Sequence, residues 1–159
     1  MDGLFASVIV LCALGCGLGG GVFFAFSTFV MPALGRIAPH EGISAMQSIN
    51  VMAVRPWLMS LLFGTAALCL VVLVLVVLRW EQEPAAASLA AASIIYLAGC
   101  IGVTRYGNVP LNIALGAVAP ADPAAAQRWS SYLRTWTQWN HVRTVACTVA
   151  AVLFILALR

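Results

Sequence analysis

Trp139-Asn140-His141-Val142-Arg143-Thr144-Val145-Ala146-Cys147-Thr148-Val149-Ala150-Ala151-Val152-Leu153-Phe154-Ile155-Leu156-Ala157-Leu158 is the stretch on which the fold turns. Its uncharged part, Thr144 to Leu158, is 15 residues long. At 1.5 Å per residue a helix of that length covers about 22 Å, short of the ~30 Å hydrocarbon core of a bilayer. A helix that crosses must therefore begin near Trp139, which draws Arg143 inside the boundary. Positions three, four and seven apart share a helix face, so Trp136, Trp139, Asn140 and Arg143 point the same way.

Composition agrees with a membrane chain. Of 159 residues, 63% are hydrophobic and 8% charged, and mean hydropathy is +1.01. Soluble domains carry about a quarter charged residues, so this chain lacks the charge to cover a water-facing surface. The net charge of +3 comes from eight arginines and no lysine. That is too little for a nucleic-acid surface. Cys12, Cys16, Cys69, Cys100 and Cys147 each lie in an apolar run. An odd number so placed predicts small hydrophobes, not a disulfide framework or a zinc site. The amino terminus has Asp2 and no basic residue before its apolar run, so the first span is expected to stay in the mature protein.

Working backwards, three more runs suit spans. The first, about 5–30, is stopped by Pro32 and carries GxxxG spacings at Gly15/Gly19 and Gly17/Gly21. Such spacing suits close helix packing, within the chain or between copies in a homo-oligomer. The second runs over about 57–78, with Ser60/Gly64 as a further small-residue contact. The third runs over about 85–104, with Tyr96, Cys100 and Thr104 in one mildly polar row, and breaks at the Gly and Pro of residues 105–112. The fourth is 139–158. The connection 36–55 carries a short amphipathic helix with Ile43, Met46, Ile49 and Ala53 inward and Ser44, Gln47, Ser48 and Asn50 outward. Asp122-Pro123 is an N-cap and first-turn proline from which one helix can run through to Leu158. The expected fold is all-α: a single four-helix transmembrane domain with interfacial helices in the 1–2 and 3–4 connections.

Six arginines (Arg36, Arg55, Arg105, Arg128, Arg134 and Arg143) then fall at one membrane face and two, Arg79 and Arg159, at the other. The positive-inside rule predicts that the six-arginine face is cytoplasmic and both termini are outside. His40, Asn50, Asn108, Asn112, Asn140 and His141 fall at the same face, which predicts a pocket there. Arg143 is either a clamp for an oxyanion or carboxylate or an arginine that snorkels to the headgroups. Asn140 suits a ligand or a helix–helix hydrogen bond equally. Asn108 and Asn112 flank Pro110, where a helix break frees backbone groups. His40 and His141 are the only imidazoles and the candidate general bases. Two histidines are also a haem ligand set, although His40 lies outside any span. A metal held by His40, Glu41 and His141 has no recognisable spacing.

Gly21-Val22-Phe23-Phe24-Ala25-Phe26-Ser27 leading into Val30-Met31-Pro32-Ala33-Leu34, then Asn108-Val109-Pro110-Leu111-Asn112, then Trp139-Asn140-His141-Val142-Arg143, resemble the DUF1772, or anthrone oxygenase-like, membrane proteins. The resemblance implies a four-helix fold and oxidation of a flat, apolar anthrone-type substrate, with O2 as co-substrate and no established cofactor. In that reading Trp136, Trp139, Phe23 and Phe26 sandwich the substrate, and Asn108, Asn112 and Arg105 complete its pocket. His141 or His40 removes a proton, and Asn140 and Arg143 hold the enolate oxygen while O2 reacts with it directly. The chain has no flavin or dinucleotide fingerprint. The alternatives are a membrane protein that binds a quinone- or lipid-like ligand without turnover, and a structural subunit of a larger membrane complex.

Overall fold

The apolar runs fold as four long helices and one short one in a computed structural model that describes residues 3–159. Asp2 lies outside the described residues. Helix α1 is Gly3–Leu34, α3 is Pro56–Leu78, α4 is Ala86–Gly116 and α5 is Ala125–Leu156, each long and apolar enough to cross a membrane. The short helix α2, Pro39–Ala53, joins α1 to α3. Its first turn is fixed by Pro39 and by the Glu41 carboxylate, which accepts the Ala38 N–H at 3.2 Å. The chain is an integral membrane protein.

The long helices close into a ring in the order α1–α3–α4–α5, each packed on two others. Small residues set the spacing. A Cβ on Gly15 would run into the Thr65 hydroxyl, and one on Gly99 into the Ala146 methyl. A Cβ on Gly20 would sit 3.2 Å from Cys147. A Cβ on Gly17, Gly21 or Gly64 would meet nothing within 4 Å among the described residues, and Ser60 is exposed, so the Ser60/Gly64 pair is no internal contact. Hydrogen bonds tie the ring where a side chain meets a neighbouring backbone. Tyr96 donates to the Leu62 carbonyl at 3.0 Å and Ser88 to that of Leu153 at 3.2 Å. In lipid such bonds are worth roughly 0.6–2 kcal/mol each.

Two apolar clusters fill the bundle. One runs through its centre and includes Ile9, Cys16, Cys69, Leu89, Tyr96, Cys147 and Phe154. The other caps one end and includes Met31, Ile43, Met46, Leu115, Trp129, Tyr132 and Trp136. Between them on three helices stand buried or half-buried polar residues: Ser27 on α1, Thr104 and Asn108 on α4, Asn140 and Arg143 on α5. A polar layer thus separates two dry ones. All five cysteines are reduced and buried, as the small-hydrophobe reading expects. A maleimide reagent should therefore label none of them in intact membranes and all five after denaturation. Rapid labelling of any one in the folded protein would contradict this packing.

Several details differ from the sequence reading. Helix α4 does not break near Pro110; it continues through two wide π-type turns, Leu97–Gly102 and Thr104–Asn108. Helix α1 has the same feature at Phe26–Val30. The i→i+5 bonds run from Met31 N–H to the Phe26 carbonyl and from Val109 N–H to the Thr104 carbonyl, each one residue before a proline. A widened turn relieves the clash between a proline ring and the preceding turn, so Pro32 and Pro110 are accommodated without a break. The connection from α4 to α5 holds no separate helix among the described residues. It is built by extending both spans, with turns over 117–124, and Asp122 Oδ1 accepts the Ala124 N–H at 2.8 Å just before α5 begins. On α2, Gln47 and Asn50 turn inward. Gln47 donates to the Leu115 and Val118 carbonyls at 2.9 Å each and straps α2 to the end of α4.

Candidate functional site

Helix α5 brings Trp136, Asn140 and Arg143 to the polar layer at spacings of three and four, on one face. Asn140 is fully buried. Its Nδ2 donates to the Phe23 carbonyl at 2.6 Å and to Ser27 Oγ at 2.7 Å. The Phe23 carbonyl lies three residues before the widened turn of α1. Asn140 Oδ1 accepts from Arg143 Nη2 at 2.6 Å, and Thr104 Oγ1 accepts from Arg143 Nη1 at 3.2 Å. The asparagine thus joins α1 to the guanidinium.

Arg143 is 6% exposed, so it does not snorkel. Its guanidinium carbon stands 4.1 Å from the Phe23 ring centroid and 5.3 Å from that of Trp136. Both are within cation–π range. Its Nε is buried without a hydrogen-bond partner, and among the described residues no carboxylate pairs with it. A charge at membrane depth costs roughly 2.5–3.5 kcal/mol by insertion scales unless it is compensated. Here the compensation is two neutral acceptors and two aromatic faces. Two of its five N–H donors are used, and the one on Nε belongs to a nitrogen with no partner at all.

That donor belongs to a residue lining a cavity of about 120 Å³. Phe23, Phe26 and Val22 of α1 form one wall, Thr104, Val109 and Asn112 of α4 another, and Trp136 and Arg143 of α5 a third. Asn50 and Ile49 of α2, with Leu58 and Met59 of α3, close it toward the connection. Trp136 is pinned twice: its indole N–H donates to Asn112 Oδ1 at 2.8 Å, and its ring lies 5.8 Å from Phe26. Tyr132 also donates to Asn112 Oδ1, at 2.9 Å. Asn108 is buried behind the wall and donates to the Trp136 carbonyl at 3.1 Å. The Asn50 amide stands beside the Tyr132 hydroxyl, but its Nδ2 makes no hydrogen bond there.

Of the residues expected at the site, the fold brings together Arg143, Asn140, Trp136, Phe23, Phe26, Asn112 and, one layer back, Asn108. Four others lie elsewhere. Trp139 is 42% exposed and packs over Gly107, whose Cβ would sit 2.9 Å from the indole. Position 139 is 100° round the helix from Asn140, and Trp139 does not line the cavity. Arg105 is exposed and stacks on Tyr106 at 5.6 Å. His40 and His141 are both exposed and line no part of the cavity. They do not face each other across the core as haem ligands would. Among the described residues no three His, Cys, Asp or Glu side chains form a metal site. Ser27 and Thr104 join the site without being among the candidates, and Asn50, expected at this membrane face but on the outer side of α2, turns into it. Thr104 had a signal in its spacing from Tyr96 and Cys100; a lone Ser27 in an apolar run had almost none.

Asn140 separates two roles of the cluster. Asn140→Ala would strand two acceptors on α1 and one guanidinium donor, and an unmet buried polar group costs about 1–3 kcal/mol. The variant should lose thermal stability in detergent together with any activity. Activity lost at unchanged stability would instead make Asn140 a direct ligand of the substrate.

The fold and site define a small four-helix membrane protein with an unpaired buried cation at the wall of an apolar cavity. The family described as anthrone oxygenase matches residues 57–153, well over half of the chain. The chain belongs to that family. The match spans α3, α4 and most of α5, with Thr104, Asn112, Trp136, Asn140 and Arg143; Phe23, Ser27 and α2 lie outside it. No curated protein and no solved structure matches the chain.

Proposed function

We propose that the protein is a membrane-embedded oxygenase for a flat, apolar ketone of the anthrone type, with Arg143 as the seat of the substrate oxygen. The observation that carries this reading is a buried guanidinium, its Nε without a hydrogen-bond partner, on a residue that lines an aromatic-walled cavity. An anthrone carries a CH2 group made acidic by its conjugated carbonyl. With that carbonyl oxygen against Arg143, the enolate is favoured over the ketone, because a fixed donor in a dry site gains most as charge develops. The proton passes to water at the mouth. No histidine is required beside the substrate.

The enolate carbon then gives an electron pair to O2 and forms a C–O bond, leaving a peroxide anion. Protonation yields the hydroperoxide. Loss of the remaining C–H proton with cleavage of the O–O bond gives the second carbonyl and one water. One O2 is consumed, one oxygen atom stays in the quinone and the other leaves as water.

A cavity of about 120 Å³ is smaller than the roughly 300–1,000 Å³ usual for such ligands. It is continued by an outer groove of about 450 Å³ between α2 and α4 that shares Asn50, Val54, Val109 and Asn112 with it. We place the oxygen-bearing edge of the substrate in the cavity and its remaining rings in that groove, open to the bilayer. An apolar substrate would then arrive sideways from lipid. The arginine bias supports a cytoplasmic position for this end.

The test is isotope incorporation. Membranes containing the protein, given an anthrone under 18O2, should yield quinone carrying one labelled atom at a rate above that of membranes lacking it. Equal slow labelling in both would remove the oxygenase reading and leave ligand binding without turnover.

A further inference from the structure

We propose that a second site, on the outer side of α1 and α5, binds the phosphate of an anionic phospholipid. A groove of about 380 Å³ lies there, on the opposite flank of α1 from the aromatic cavity. Arg134, Gln138 and His141 follow one another at spacings of four and three on α5, so they form one line along its surface. Arg36, just beyond the end of α1, faces them across the groove. Three of these four side chains are basic or imidazole, and none makes a hydrogen bond or ion pair within the protein among the described residues. No acidic side chain lines the groove, and its floor is apolar: Met31, Pro32 and Leu133.

The position fits one class of ligand. Two residues beyond His141 the helix carries the buried Arg143, and beside it Trp139 exposes its indole, so the polar line stands where the span meets the headgroup region. A phosphodiester there accepts from both guanidinium groups, a bidentate geometry that arginine favours. The apolar floor takes the first methylenes of an acyl chain. A zwitterionic lipid offers the same phosphate, but its ammonium is repelled by the arginine pair. Basic pockets between membrane helices bind anionic headgroups in this way, each arginine contributing about 1 kcal/mol, or roughly fivefold in affinity.

The experiment is native mass spectrometry of the full-length protein released from micelles supplied with phosphatidylglycerol or phosphatidylcholine. The expected result is retention of one phosphatidylglycerol on the wild type, reduced at least tenfold in Arg36→Gln/Arg134→Gln, with little retention of phosphatidylcholine. Arg55→Gln, which removes an exposed arginine outside the groove, should retain the lipid as the wild type does. Equal retention by the double variant, or equal retention of the two lipids, would overturn the proposal. Displacement of the lipid by millimolar inorganic phosphate would assign the site to a free anion and overturn it too. Protection of the cysteines from maleimide shows that each variant is folded when it is measured.

Discussion

Arg143→Met should lower kcat/KM for an anthrone about 100- to 1,000-fold, the loss expected when one donor to a developing oxyanion is removed, while folded protein accumulates in the membrane at the wild-type level. The two halves of that expectation have different origins. Methionine fills a similar volume between Phe23 and Trp136, so the aromatic walls keep their contact. Removing the charge also removes its cost at membrane depth, and this offsets the hydrogen bonds lost to Asn140 and Thr104. A purely structural arginine would behave the other way round, with lower protein levels and no chemistry to lose. Arg143→Lys keeps a point charge but not the planar fork that reaches Asn140 and Thr104 together. It should fall between methionine and wild type. Steady-state oxygen uptake at matched protein content measures all three.

Gly99→Leu should abolish accumulation of the folded protein, and Gly99→Ala should destabilise it by about 1–3 kcal/mol, the usual cost of overpacking. Gly99 lies in the widened part of α4, where its missing side chain lets α5 approach until the Ala146 methyl fills the space. A Cβ there forces α4 away from α5, and Thr104 moves with it. The effect should therefore reach the guanidinium it holds. The diagnostic is the compensating change. Gly99→Ala/Ala146→Gly moves the methyl from one helix to the other and should recover most of the loss, as unfolding midpoints in detergent would report. No recovery would mean that α4 and α5 are not in contact there.

How far these features could be read from the chain depends on how local their causes are. The four spans follow from uninterrupted apolar length, a property of each segment alone. The burial of Arg143 follows from a length shortfall of the same kind: 15 uncharged residues do not cross a bilayer. The shared face of Trp136, Asn140 and Arg143 is helix geometry. The widened turns are not legible, because Pro32 and Pro110 announce a conflict in the backbone but not whether it is resolved by a break or by one extra residue in a turn. The helical pattern of 36–55 places Asn50 toward water, because a single helix offers only one face to judge. Inward, it lines the cavity with Asn112 and Trp136, residues far along the chain that a single helix cannot announce. His40 and His141 have the chemistry of general bases, whereas their position depends on which side of the helices the ring closes. Serine 27 shows the opposite case, a residue with a weak local signal that gains its role only when Asn140 reaches it from α5.

The ionisation of a bound analogue tests most directly whether Arg143 faces the substrate oxygen. A hydroxyanthraquinone has the shape of the product and a hydroxyl whose ionisation changes its colour. Titrated with purified protein in micelles, it should ionise at least about one pH unit lower when bound to the wild type than to Arg143→Met, as expected for an acid within contact of a buried cation. The same ionisation with both proteins would mean that the guanidinium does not meet the ligand, and the site would have to be sought elsewhere.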